Sequence, residues 1–461
     1  MIRPTRIAVA VAAVFAAPAF AANSYFSNFT PLAASSPANP VNSPLEATPL
    51  TLSSPNFSQK TIADRTTQLG LGQSNSGNWD MITANESGPS AGRYLFMPFE
   101  TGTAGVQRID LQTMTTRTIV DSGTQAFVSG DASRWAPWGG YLTAEESWGS
   151  NSTKGRLFEI TNPLVETGQA NMVQRNVLPR VSHEGLAFDK TNALYFIDEL
   201  NGGSIYRYVS TNPNATSGDS YFDKGQTFVL KTAGGSNANA VGAAVWEPIT
   251  NATGGPLANT FSAFLNVGGG QFAMDGRVAA NLVGGTDYQR PEDLEVKTLA
   301  NGDQILYVAT TTTHEVYSID LANNQVKLFA SRNTLDAATG QAVGSAFTNP
   351  DNLAIDADGN IYVIEDQPGG MADIWFAKDA DHDGVAESVG RWASMNTAGA
   401  EPTGLYFDKF NPNIAYVNIQ HPSSGVDRTI QISAVPEPES YALLLAGLGV
   451  IGFAARRRVG R

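Results

Sequence analysis

From Thr61 to Ala434 the chain alternates short runs of β-branched and aromatic residues with clusters of Gly, Asn, Asp and Pro, and this texture constrains its fold more than any single motif. Such runs, bounded by turn formers, read as strands. The clearest are Tyr94-Leu95-Phe96-Met97, Ala193-Leu194-Tyr195-Phe196-Ile197, Ile305-Leu306-Tyr307-Val308-Ala309, Ile361-Tyr362-Val363-Ile364 and Ile414-Ala415-Tyr416-Val417-Asn418. Helical periodicity sustained over several turns is absent, which argues against a Rossmann or α/β-hydrolase enzyme.

Similar segments lead into four of these runs. They are His183-Glu184-Gly185-Leu186-Ala187-Phe188-Asp189, Pro291-Glu292-Asp293-Leu294-Glu295-Val296, Pro350-Asp351-Asn352-Leu353-Ala354-Ile355-Asp356 and Glu401-Pro402-Thr403-Gly404-Leu405-Tyr406-Phe407-Asp408. An acid, an apolar strand, a turn and a second strand therefore recur at an irregular spacing of very roughly 40 to 110 residues, which leaves room for insertions. The expectation is an all-β fold, a six-bladed β-propeller with inter-blade insertions. In a propeller the innermost strand of each blade starts near the central channel, so the recurring acids would converge on the axis.

The formal net charge is −14, and both chain ends carry a local excess of arginine, so the body between them is more acidic still. A surface of this sign repels nucleic acid and attracts divalent cations, although charge alone also serves solubility. The chain has no cysteine. Disulfides and thiolate metal sites are excluded, and any metal must be held by oxygen or imidazole, which favours hard cations such as calcium.

At the N-terminus Arg3 and Arg6 precede an apolar stretch ending in Ala19-Phe20-Ala21-Ala22, the pattern of a signal peptide over residues 1–22. Residues 23–60 are rich in Pro, Ser, Ala and Thr and read as a linker or a strap lying along the surface, ahead of a propeller over 61–434. At the other end, 435–461, Val435-Pro436-Glu437-Pro438 is followed by an apolar segment and then Arg456-Arg457-Arg458. This resembles the PEP-CTERM sorting signal of Gram-negative bacteria. The resemblance implies an exosortase-type processing protease as partner and transient membrane anchoring. The exported product would end at the cell surface or in the extracellular matrix. The alternative is a plain membrane anchor, for which the apolar run is short against the roughly 20 residues of a spanning helix.

Trp135-Ala136-Pro137-Trp138-Gly139-Gly140-Tyr141-Leu142-Thr143-Ala144-Glu145-Glu146, His183-Glu184-Gly185, Arg290-Pro291-Glu292-Asp293, Asp351-Asn352-Leu353, Glu365-Asp366 and Gln420-His421-Pro422 occur in the order of the signatures of the PhoX-type alkaline phosphatases, which the chain resembles over roughly residues 90 to 425. That family is a propeller whose channel holds iron and calcium ions that bind and cleave a phosphate ester. Carried over by position, the resemblance implies Glu145, Glu184, Glu292 and Glu365 or Asp366 as metal ligands and Arg290 as the phosphate grip. Ala144 stands where the family has the cysteine that bridges its irons, so a thiolate-bridged iron pair is not expected, whereas calcium needs only oxygen ligands. Each residue has a duller reading: edge-strand charges for Glu145 and Glu146, a structural ion pair for Arg290 with Glu292, turn caps for Glu184, Asp351 and Asn352, a buried hydrogen-bonding role for His183, and packing beside Pro422 for His421.

A second metal pattern is Asp379-Ala380-Asp381-His382-Asp383-Gly384-Val385-Ala386-Glu387, with carboxylates at alternate positions and glycine where a calcium loop turns sharply. The glutamate expected at loop position 12 is replaced by Gly390, leaving Glu387 to serve. No Gly-x-Ser-x-Gly, His-Glu-x-x-His, P-loop or kinase pattern is present. Three functions stay open: a PhoX-like phosphoesterase, a non-catalytic calcium-binding propeller that binds exopolysaccharide, and a lactonase-like propeller hydrolase.

Overall fold

The computed structural model describes residues 24–149, 152–268, 271–366 and 372–435. The sequence expectations for a signal peptide over 1–22 and for the tail beyond Val435 lie outside the described residues. Successive strand runs pair with their neighbours as antiparallel meanders, the short turns between them carrying the glycines and asparagines that adopt positive φ.

Two four-stranded sheets come first: Thr83–Ala84, Tyr94–Pro98, Val106–Asp110 and Thr115–Val120, then Gly130–Trp135, Tyr141–Glu145, Leu157–Ile160 and Met172–Gln174. A sheet built on Pro350–Ile355, Ile361–Glu365, Asp373–Lys378 and Ser388–Met395 gains Leu50–Leu52 and Leu335–Asp336 at its outer strand. The last sheet, Glu401–Phe407, Ile414–Gln420 and Arg428–Ala434, is completed by Phe57–Asp64 from the other end of the chain. This closure ties Phe57–Asp64 and the strands near residue 430 into one sheet, with Phe57–Asp64 as its outer strand.

The arrangement is all-β and propeller-like, but six separate blades are not delineated. Nine strands form one nearly closed sheet, running from Leu186–Phe188 through Gly242–Pro248 and Gln325–Ser331 to Pro291–Thr298. The merger has a local cause: Gly242 and Ala243 pair with Val326 and Gln325 across what would be two outer edges. Two short antiparallel pairings, Asn201–Gly203 with Tyr288–Gln289 and Phe264–Gly268 with Gln271–Met274, and the helix Gly276–Val283 are inserted within this sheet.

Apolar side chains of adjacent sheets interlock between them. Phe96 of the first sheet stacks on Tyr141 of the second at 5.2 Å, and Phe127 meets Phe158 edge-on at 5.2 Å. Full burial of each such ring contributes about 1.5–3 kcal/mol. The described segment 24–60 is laid against the last two sheets. Phe26 is fully buried among Phe57, Trp392 and Phe407, at 5.2 to 5.7 Å between rings, and the Trp392 indole N–H donates to its carbonyl at 3.1 Å.

Candidate functional site: an axial ring of carboxylates

The site is built by a backbone device that repeats around the molecule. Each sheet meander starts with an acid at the head of its first strand: Asp80, Asp131, Glu184, Glu292, Asp351 and Glu401. Two residues before the acid a carbonyl accepts the N–H of the residue that leaves the second strand. The bonds are Glu100 to Asn78 at 2.8 Å, Glu146 to Ser129 at 2.9 Å, Glu199 to Ser182 at 2.9 Å, Thr311 to Arg290 at 3.0 Å and Asp366 to Asn349 at 3.0 Å. In the last meander the His421 ring reaches Gly399 O through Nδ1 at 2.9 Å instead. The accepting residue is held in the left-handed region at Asn78, Ser129, Arg290, Asn349 and Gly399, with φ between 36° and 71° among them and His421. Non-glycine residues there carry strain that the surrounding bonds must outweigh.

A β-bulge follows at several of these heads. Register slips between Gly130 and Ser133, between Pro291 and Leu294 and between Pro350 and Leu353 set two residues against one. Asp131, Glu292 and Asp351 lie in those stretches, where a bulge re-aims a side chain out of the ordinary alternation.

The result is a second row of Glu100, Glu146, Glu199, Thr311, Asp366 and His421 beside the first. The acids crowd together. Burial, then like charge from Asp351 and Glu292, pushes the Glu184 carboxyl well above its usual range. Burial, then Glu292 and Asp366, does the same to Asp351, and burial, then Asp80 and Glu100, to Asp131. Burial raises Asp80 and Glu292 to about 7 each, and Glu401 to about 8. Carboxyl oxygens of Glu184, Glu292 and Asp351 come within 4.8 Å of one another. Glu292 Oε2 and Asp131 Oδ1 are buried without a hydrogen-bond partner.

Polar side chains hold the ring in place. Thr403 Oγ1 donates to Asp80 Oδ1 at 2.6 Å, Gln420 Nε2 donates to Asp80 Oδ2 at 3.1 Å and to Glu100 Oε2 at 2.8 Å, and Asn352 Nδ2 donates to Glu184 Oε1 at 3.2 Å. Two cations face the acids. Arg290 Nε lies 2.7 Å from Glu199 and 3.0 Å from Glu292, and Nη1 is 3.9 Å from Asp366. Burial works against this guanidinium, yet Glu292 and Glu199 raise its pKa above the usual value. His421 Nε2 is 3.1 Å from Glu401, whose hydrogen bond lifts the imidazole to about 9.

The sequence-predicted residues divide. Glu184, Glu292, Asp366 and Arg290 meet at the axis. Glu145 is fully buried elsewhere: both its oxygens are taken by Arg156, with Nε to Oε2 at 2.8 Å, while its neighbour Glu146 enters the ring. Glu365 accepts from Trp375 Nε1 at 2.7 Å, Thr348 N at 2.8 Å and Asp373 N at 3.1 Å, inside its own sheet. Asp379, Asp381 and Glu387 converge in a separate cluster, whereas Asp383 turns to Lys327 at 3.3 Å. His183 is fully buried with both ring nitrogens unpartnered, and burial lowers its pKa to about 3. Asp351 and Glu401 were among the recurring acids expected to converge on the axis, whereas Asp80, Glu100, Asp131 and Glu199 escaped the sequence reading as site residues. The signal available for them was position, an acid just before a first strand or just after a second.

Alkaline phosphatase PhoX is the family that matches, over residues 87–423. The chain belongs to the PhoX family. The PEP-CTERM protein-sorting motif matches residues 434–458 and marks this PhoX protein for export and surface sorting. Among the described residues no helix is long and apolar enough to cross a membrane. No curated protein matches. A protein of unknown function from Bacteroides thetaiotaomicron shares 12% identity, with 82% of this chain and 76% of that chain covered at a TM-score of 0.43. An auxiliary nutrient binding protein from the same organism shares 10% identity over 77% and 69% at 0.32, and a luciferin-regenerating enzyme 8% over 78% and 93% at 0.41. Likeness this distant bears on neither substrate nor site.

The donor set decides which metals suit this PhoX site. Ala144 packs with Leu142, Leu157, Leu186 and Phe196 in an apolar cluster, so nothing there replaces a bridging thiolate and a thiolate-bridged iron pair does not fit. Hard divalent cations do fit, because crowded oxygen ligands with an unpartnered buried oxygen at Glu292 are what such an ion neutralises.

Proposed function

We propose that the chain is an exported phosphoesterase that hydrolyses phosphomonoesters at the axial ring. One observation carries this reading: a half-exposed guanidinium, Arg290, stands beside the Glu184, Glu292 and Asp351 carboxylates, whose oxygens crowd within 4.8 Å. In this reading Glu184, Glu292 and Asp351 hold calcium, with Asp131, Glu146 and Asp366 completing the anionic wall. A bound divalent cation supplies Lewis acidity toward the phosphoryl oxygens.

The rest of the work falls to the chain. Arg290 donates a hydrogen bond to Glu199 through Nε, and neither terminal nitrogen donates one to a protein group among the described residues, which leaves the end of the fork for the substrate's phosphate oxygens in this reading. The His421 imidazolium adds a second positive group at the mouth. Asn352, Thr403 and Gln420 fix the acids, so that little reorganisation is needed as negative charge shifts in the transition state. The same reading counts the nine-stranded sheet as two blades, for six in all, with 61–434 as the propeller body and 23–60 as its strap.

A second reading is favoured by Ala144 within an apolar cluster: a propeller that keeps calcium but not catalysis and binds exopolysaccharide after exosortase processing. Assays of aryl phosphates, phosphodiesters and lactones on one preparation separate the readings. Phosphomonoester turnover that is lost on chelation and restored by calcium is expected. Calcium-dependent polymer binding without turnover of any ester would sustain the second reading, and lactone hydrolysis alone would sink both.

A further inference from the structure

Outside the axial ring Asp379, like Asp287 and Asp373, has a buried carboxylate oxygen without a hydrogen-bond partner. Asp379 is 8% exposed; its Oδ1 accepts the Asp383 N–H at 3.1 Å, and its Oδ2 has no hydrogen-bond partner. The Lys297 charge acts on Asp379, but its ammonium meets His382 Nδ1 at 3.4 Å and makes no ion pair with Asp379 among the described residues. An unsatisfied buried carboxylate oxygen costs several kcal/mol unless something neutralises it. Asp381 and Glu387 bring oxygens within 4.8 Å of that of Asp379.

The loop carrying these residues, between strands Asp373–Lys378 and Ser388–Met395, is tied to the neighbouring sheet as well as to its own. Ser318 Oγ donates to Gly384 O at 2.6 Å, Ala386 N donates to Phe329 O at 2.8 Å, and Lys327 Nζ donates to Asp383 O at 2.6 Å. All three partners lie on strands Glu315–Asp320 and Gln325–Ser331 of the nine-stranded sheet. Gly384 has φ +82°, and a Cβ there would sit 2.9 Å from Ser318 Oγ, so only glycine permits this approach. Ala386 is buried in one apolar cluster with Phe329 and Ile305 of that sheet.

We propose that Asp379, Asp381 and Glu387 hold one calcium ion that clamps this loop onto the neighbouring sheet, a structural site separate from the axial ring. Calcium suits the site because the ligands are all oxygen and the loop is irregular, whereas magnesium demands a near-ideal octahedron. Two of the three ligands, Asp381 and Glu387, are exposed, so the ion can exchange with the medium. The clamp does not depend on the phosphoesterase reading.

The test uses the purified exported protein, stripped with chelator and then titrated with calcium, beside Asp381→Asn. Asp381 is exposed, and its replacement leaves the core untouched. The wild type is expected to bind one calcium more than the variant. Calcium should slow hydrogen exchange at the Ala386 amide at least tenfold in the wild type but not in the variant, with phosphoester turnover the same in both. Equal calcium counts in the two proteins would overturn the site. A lost calcium with equal protection of Ala386 would overturn the clamp. Asp379→Asn provides a second variant, expected to show the same losses.

Discussion

Adjacent acids at the ends of second strands have opposite fates. Glu145 is consumed by Arg156 and Glu146 joins the ring; Glu365 bonds within its sheet and Asp366 faces Arg290. Glu145→Gln should therefore cost about 3 kcal/mol, the scale for breaking a buried ion pair, with metal content unchanged. Urea unfolding and elemental analysis check this, and a loss of metal at unchanged stability would place Glu145 at the axis instead. Glu146→Gln should do the reverse. The chemistry of these residues was legible in the sequence, since acids recur beside apolar runs, but their direction was not. A step of one residue flips a side chain to the other face, and the bulges at Asp131, Glu292 and Asp351 break even that alternation. The Asn352 side chain, read as a turn cap, instead bridges Glu184 and Thr403.

The second strands were the most legible elements. Tyr94–Pro98, Leu194–Ile197, Gln304–Thr310, Ile361–Glu365 and Ile414–Gln420 each contain a run that stood out by composition, because strands buried on both faces are apolar throughout. Outer strands such as Met172–Gln174 and Leu50–Leu52 are short and half exposed, and carry too little pattern to announce themselves. The segment 23–60 shows the limit of composition most clearly, since Pro, Ser, Ala and Thr dominate it yet Phe26, Leu50 and Phe57 are all buried. Phe26→Ala is expected to destabilise the protein by about 3–5 kcal/mol through the cavity left among Phe57, Trp392 and Phe407. A thermal melt reads this directly. A change below about 1 kcal/mol would mean that the segment contributes little to the core.

At the scale of the whole molecule the concentration of buried acid has a thermodynamic signature. Asp80 and Glu292 have ordinary values of 3.8 and 4.5 and stand at about 7 in the folded protein, raised by burial. Between about pH 4 and 7 the folded state therefore holds protons that the unfolded chain has released, and stability falls as pH rises through that window. Cations bound in the ring would favour the ionised carboxylates and expel those protons. Chelated protein should lose melting temperature from pH 5 to 7, calcium-loaded protein should lose less, and calcium addition at pH 6 should release protons. Parallel pH profiles with no proton release would mean that the ring binds no cation.

The central claim is that Arg290 and the axial carboxylates form a hydrolytic site, and the most direct measurement is p-nitrophenyl phosphate turnover with metal counted on the same samples of wild type and Arg290→Ala. The account predicts several calcium ions in both proteins, turnover in the wild type, and a loss of about 10²-fold or more in the variant, the scale for removing a preorganised charge-stabilising donor. Metal-replete wild type without turnover, or a variant as active as the wild type, would contradict it.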